Sequence, residues 1–305
     1  MKKKVMMVGA GLTLGSALLV TSAFADVGGA QGYEAYKSAL KATATAENAT
    51  QSVGLSVRDN GNERFRVIST VKEDRASQAL SGSASIHAGA DTAKVDFYHQ
   101  DGRMIVKSAD SDTYNVIQES GRPHKDEDWE DGEFDPEFHK GIETIVDALV
   151  GNLKNDFILK NGEGGKKTVS VELTGSRIPA AANVIGSVLI KEALSGKHSD
   201  DQMDHAAFGQ ELLGFDLAKL DPQLPQLSQD VNIDSVSLQA TIDENDAIVR
   251  QTVEFEISGK DVSGAEHDLV VTADIGLSGI GETKPDAVDL AGKKVNTIEH
   301  SRFED

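Results

Sequence analysis

Cysteine is absent from the 305 residues, tryptophan occurs once, and aromatic residues make up only 5%. With no cysteine there are no disulfides, no thiolate nucleophile, no iron–sulfur cluster and no cysteine-type zinc site. Basic residues are outnumbered, 30 Lys+Arg against 50 Asp+Glu, for a formal net charge of −20. Phosphate binding needs clustered Lys and Arg to displace counterions, so the balance excludes nucleic acid as a partner. It also disfavours anionic membrane surfaces. Scarce rings argue against a sugar cleft, which stacks substrate on Trp or Tyr. The 39% hydrophobic content is enough for a core at this length and too low for an integral membrane protein.

The N-terminus reads as a targeting segment. Lys2, Lys3 and Lys4 precede an apolar stretch from Val5 to Val20, and Ala23-Phe24-Ala25 gives a small-x-small cleavage pattern before Asp26. Residues 1–25 are therefore expected to be a signal peptide, cleaved after Ala25, with no transmembrane segment left afterwards. No cysteine follows, so no lipid anchor is expected. Cleavage takes away three lysines and no acid and moves the net charge from −20 to −23. The expected location is outside the cell, on the extracellular face of the envelope.

Beyond the leader, residues 31–49 carry Tyr33, Tyr36, Ala39, Leu40 and Thr43 at helical spacing, and core packing is the reading for both tyrosines. Alternation with period two then takes over. Val53/Leu55/Val57, Phe65/Val67/Val71, Leu80/Ala84/Ile86, Val95/Phe97, Met104/Val106 and Tyr114/Val116 are separated by turn signals such as Asp59-Asn60-Gly61-Asn62 and Gln100-Asp101-Gly102. This predicts an antiparallel meander with one buried face. Helices are predicted over 138–153 and 178–194, with a hairpin between them around Asn161-Gly162-Glu163-Gly164-Gly165. Three more strands follow, around Leu238, Val253 and Val271. The fold class expected is α+β: a large curved antiparallel sheet, or half-barrel, with helices on its concave face. Residues 26–275 would form that domain and 276–305 a partly ordered tail.

Catalytic templates are missing. GxSxG and HExxH do not occur, and Gly162–Thr168 has P-loop composition without P-loop spacing. The chain is expected not to be an enzyme, although carboxylate pairs drawn from distant positions remain open. Eight carboxylates fall within residues 126–137. Asp126, Asp128, Glu130, Asp131 and Glu133 are the weak Ca²⁺ candidate, since carboxylate oxygens suit a hard cation. The EF-hand pattern fails there in register, and a solvated loop is the alternative. His198, Asp201 and His205 form a second His/Asp cluster, read as a surface loop or a metal pair. No other cofactor is expected.

The element order resembles the half-barrel of the periplasmic lipoprotein carriers and the related mycobacterial envelope lipoproteins, which hold acyl chains between sheet and helices. Two stretches, Gly32-Tyr33-Glu34-Ala35-Tyr36-Lys37-Ser38-Ala39-Leu40 and Leu173-Thr174-Gly175-Ser176-Arg177-Ile178-Pro179-Ala180, also resemble secreted proteins of unknown function from spore-forming Gram-positive bacteria. The resemblance implies a non-enzymatic envelope protein with an apolar or amphiphilic, lipid-like ligand between sheet and helix. The charge-free stretch Ile178–Ile190, thirteen residues long, is too short to cross a bilayer, which takes about 20. Ile178, Val184, Ile185, Val188 and Leu189 from this helix, with Phe65, Phe97 and Phe255 from the sheet, are the candidate lining. The rival is that the same helix simply fills the sheet as core. The second functional class is a wall-associated, Ca²⁺-responsive module docking a cell-wall or envelope protein through its acidic surface.

Overall fold

The computed structural model describes residues 31–118, 153–178 and 224–298. The leader 1–25, nearly all of the two helices predicted at 138–153 and 178–194, the acidic run 126–137 and the cluster His198–His205 lie outside these residues. One α-helix, α1 (Gln31–Ala44), precedes a meander of β1 (Asn48–Asp59), β2 (Asn62–Asp74), β3 (Ala79–Ala88), β4 (Asp91–Gln100), β5 (Arg103–Ser108) and β6 (Thr113–Gln118). A short hairpin follows, β7 (Ile158–Asn161) and β8 (Lys167–Thr174). Then come three long strands, β9 (Gln229–Ile242), β10 (Ile248–Lys260) and β11 (Glu266–Ser278), and a last short one, β12 (Lys294–Ile298).

All twelve strands join in one sheet, in the order β12-β6-β5-β4-β3-β2-β1-β11-β10-β9-β8-β7. The terminal strands do not pair with each other among the described residues, so the sheet is open. Every pair is antiparallel except β12 with β6, which is parallel. The α+β expectation gives way here to a β-dominated architecture. Among the described residues a single α-helix packs on the sheet, chiefly on the β7–β10 flank.

Registry turns the sequence alternation into two faces. Across seven strands, Ala88, Phe65, Val57, Val271, Phe255, Val236 and Leu173 stand in one transverse row. The next row is Ile86, Val67, Leu55, Ala273, Val253, Leu238 and Val171. The intervening positions face the other way and are polar. There Asp274 accepts from Arg250 at 2.8 Å and from the Thr252 hydroxyl at 2.9 Å, and Glu254 accepts from the Thr272 hydroxyl at 3.0 Å. The Arg250–Asp274 pair is exposed and contributes little to stability, whereas the two hydroxyl bonds are part-buried.

Two flanks of the apolar face are filled from within. On one, Val71, Ala84, Val95, Phe97, Val106, Ile117 and Ile298 pack together. The Phe97 ring lies over Gly82, where a Cβ would come within 2.5 Å of both the ring and the Thr70 carbonyl oxygen. On the other flank α1 docks. Tyr36 and Ala39 pack on Val169, Ala240, Ile242 and Ile248. Phe157 stacks edge-on against Tyr33 at 5.5 Å between ring centroids. Below them Leu153 and Ile178 close a further cluster with Val171, Leu173 and Ile233. The helix stops at Ala44, short of the predicted 49, and Asn48 starts β1 instead of ending the helix. Thr43 fixes this boundary. Its hydroxyl donates to the Ala39 carbonyl at 2.7 Å and accepts from the Ile248 amide at 2.8 Å, tying the last turn to the start of β10.

The stretch from 276, expected as a tail, continues β11 to Ser278 and then crosses the polar face as a strap. Thr283 bonds Asn48 and Thr50, the Asp286 amide donates to the Ser81 hydroxyl at 2.7 Å, and Lys72 pairs with the Asp286 carboxylate at 2.9 Å. Gln100 then holds Val288 by both its amide nitrogen and its oxygen, at 3.0 and 2.8 Å. This crossing carries the chain from β11 to the far edge, where it arrives running the same way as β6. That is why the one parallel pair forms there.

Two outcomes are expected. Gly82→Ala places a methyl against a backbone oxygen that cannot yield, and should cost about 1–3 kcal/mol by urea denaturation with an unchanged slope. Burial pushes the Tyr36 phenol well above the ordinary tyrosine range, against the smaller lowering effect of its bond to Gln251. The unfolded phenol ionises near pH 10, so this contribution is complete below that pH and declines as pH rises above it. Tyr36→Phe is expected to lose about 1–3 kcal/mol at neutral pH and to show a shallower alkaline decline in a urea series.

Candidate functional site

Between the two filled flanks the apolar rows are only half-buried. Phe65 and Val67 on β2, Val53 and Leu55 on β1, Val271, Ala273 and Ile275 on β11, and Val253 and Phe255 on β10 form one contiguous zone of partly accessible apolar side chains. Neighbouring strands stand about 4.8 Å apart and same-face residues about 7 Å apart along each strand. Four strands and three rows therefore span an elongated, uncharged patch on the face that carries α1. The patch follows from the sequence in the simplest way. Most inward positions of these strands are apolar, Ser69 and Gln251 being the polar exceptions, and registry aligns them.

At one end Ile257 of β10 and Leu269 of β11 pack with Leu227 into a further buried cluster, against which Phe255 and Val271 lie, and polar groups stand beside it. At the β1–β2 turn Asp59, 3% exposed, shares the apolar face. Its carboxylate accepts from His267 Nδ1 at 2.8 Å and from Arg64 at 3.3 Å. His267 Nε2 lies 3.6 Å from Asp261, beyond a hydrogen bond. Asp261 itself closes the β10–β11 loop. The Ser263 hydroxyl first, and the Ala265 and Ser263 amides with it, hold its carboxyl down at about 2. This network ties two turns together, and it leaves His267 Nε2 and Arg64 Nε buried without a hydrogen-bond partner.

At the opposite end stands Gln251, on β10 between Ala240 of β9 and Ile275 of β11. It is 2% exposed. Tyr36 of α1 donates its hydroxyl proton to the Gln251 Oε1 at 3.0 Å. The Gln251 Nε2 is buried and has no hydrogen-bond partner. An unpaired buried amide donor costs about 1–3 kcal/mol, and such groups are few in native structures. Turning the amide over would leave the oxygen, an N–H and the Tyr36 proton all unpaired, so the orientation with Tyr36 as donor is the one that satisfies most groups.

The expected lining residues are split by the structure. Phe65 and Phe255 lie in the half-buried zone, in the same transverse row. Phe97 is committed to its own cluster over Gly82, and Ile178 to the cluster with Leu153 and Leu173. Val184, Ile185, Val188 and Leu189 lie outside the described residues, as do the Ca²⁺ candidates Asp126, Asp128, Glu130, Asp131 and Glu133. Among the described residues no group of three or more His, Asp or Glu gathers as a metal would require. Nor is any described helix long and apolar enough to cross a membrane. Sequence reasoning passed over Gln251. Its signal was a polar residue at an inward position, with Val253, Phe255 and Ile257 continuing the same face.

No protein-family model matches the sequence, and neither does any curated protein. Solved structures give remote likenesses. A DUF1329-family protein from Desulfovibrio piger aligns at 11% identity over 90% of this chain and 98% of its own, with a TM-score of 0.20. A beta-barrel-like DUF1849 protein from Brucella abortus aligns at 10% identity, 76% and 99% coverage, and a TM-score of 0.18. A LolA-superfamily protein from Nitrosomonas europaea aligns at 8% identity, 85% and 94% coverage, and a TM-score of 0.21. Similarity of this degree decides neither fold nor function, and the architecture rests on the strand pairing itself.

Proposed function

We propose that this chain is an exported, non-enzymatic protein of the cell envelope that holds an apolar or amphiphilic, lipid-like ligand against the central rows of its sheet. One observation supports the reading most directly. The apolar zone over β2, β1, β11 and β10 is continuous and uncharged, yet only half-buried, while both flanks of the same face are filled. A folded chain gains by covering such surface, and an acyl chain laid along it would gain about 0.8 kcal/mol for each buried CH₂. The half-buried residues come from four strands fixed by long ladders, so the surface is rigid and pre-formed, as ligand sites usually are. The lysine-led, Ala-x-Ala-ended segment at the N-terminus supports export.

Native mass spectrometry of the protein secreted from a Gram-positive host, followed by organic extraction, tests this. The mature chain is expected to begin at Asp26 and to carry an amphiphile at near-stoichiometric amount. Leu55→Glu puts a charge in the middle of the zone and should lower the bound amount by about an order of magnitude with the strand signal in circular dichroism retained. A clean apo mass for the parent protein, with no gain on adding lipids, would overturn the proposal.

A further inference from the structure

We infer that Gln251 is the polar anchor of this site, its side-chain N–H donating to an acyl carbonyl or carboxylate oxygen of the ligand. The inference rests on the ligand-binding reading above and narrows it to amphiphiles whose head carries an acceptor oxygen. Three observations meet at this residue. The Nε2 is shut off from water and bonded to nothing, so a donor is held ready where the protein supplies no acceptor. Its orientation is fixed from behind, because the buried Tyr36 hydroxyl occupies Oε1 and leaves the nitrogen as the free end. Its position is the end row of the apolar zone: Val253 and Ile275, both half-buried, are its neighbours along β10 and across to β11, and Ala240 and Ala273 beside it carry only a methyl.

An acyl chain lying along Leu55, Val253 and Val271 would bring its oxygen-bearing end beside Gln251, and its contact with the buried nitrogen requires the neighbouring half-buried Val253 and Ile275 side chains to part. A neutral donor suits the carbonyl of an ester as well as a carboxylate. It offers nothing to a quaternary ammonium head, which has no acceptor. The face carries no lysine or arginine in these rows, so charge attraction is not the source of selectivity. Geometry and the cost of leaving the donor unpaired are.

Binding of three probes to the mature protein tests the anchor: laurate, methyl laurate and dodecyltrimethylammonium, measured by calorimetry at high salt to screen surface charge. Two variants are compared with the parent. Gln251→Glu keeps an acceptor for Tyr36 and removes the donor. The double variant Tyr36→Phe with Gln251→Leu replaces both polar partners by apolar groups, which protects the fold. Both laurate and methyl laurate are expected to bind the double variant roughly tenfold more weakly, and the ammonium probe equally well. Gln251→Glu should weaken laurate more than the ester, which separates a carboxylate from a carbonyl as the partner oxygen. If the parent binds all three probes and the double variant loses none of them, or loses all three alike, the anchor is overturned while the site stands. If the parent binds no probe, the site itself fails and the anchor with it.

Discussion

Registry between neighbouring strands is the constraint on which everything else in this protein depends. With a side-chain period of two, a slip of one residue in any strand would turn its apolar set outward. Seven strands from β3 to β8 nevertheless keep their apolar positions in line, from Ala88 through Val57 and Phe255 to Leu173. The irregular registers fall where the strands adjust, between Val57 and Arg58 on β1 and at three places along β10. The two faces therefore stay distinct over a sheet of twelve strands. One carries hydroxyls, ion pairs and the buried Ile105 and Val116, and the other carries most of the core and the candidate site.

The apolar face is not used uniformly. Its flanks are covered by α1 on one side and by a dense cluster ending at β12 on the other, while the strands between keep accessible apolar surface. Polar groups interrupt this face, with Ser69 buried between Val53 and Ala84 and Asn115 beside Val106, and others stand at its ends. Asp59, Arg64 and His267 lock the turns at one end, and Tyr36 with Gln251 joins helix to sheet at the other. Each group buried among apolar side chains has a partner for most of its polar atoms, as burial demands. Three side-chain nitrogens depart from this, Arg64 Nε and His267 Nε2 at one end and the amide nitrogen of Gln251 at the other, and the last adjoins the half-buried Val253 and Ile275.

Much of this was legible in advance because alternation is a local property. The six strands of the first meander, the hairpin around Gly162–Gly165 and the three long strands after it follow from residue spacing and turn residues, and the two tyrosines of α1 pack as their helical spacing implies. β12 was not legible. It is five residues long and mostly exposed, and its pairing depends on the strap through Thr283, Asp286 and Val288, whose anchors lie some two hundred residues away in the chain. Phe65, Phe97 and Phe255 look alike in sequence. Only packing separates the ring lying over Gly82 from the two left half-buried.

By itself the sequence determined which residues alternate, where the chain turns, the strong negative charge, and the absence of thiol chemistry, since each is written in neighbouring residues or in composition. The tertiary structure alone decided which apolar positions are consumed by the core and which remain accessible. It also decided that Tyr36 and Gln251 meet and that one amide is left unpaired. Those outcomes depend on contacts between strands and a helix far apart in the chain, and no local pattern encodes how completely one apolar surface covers another.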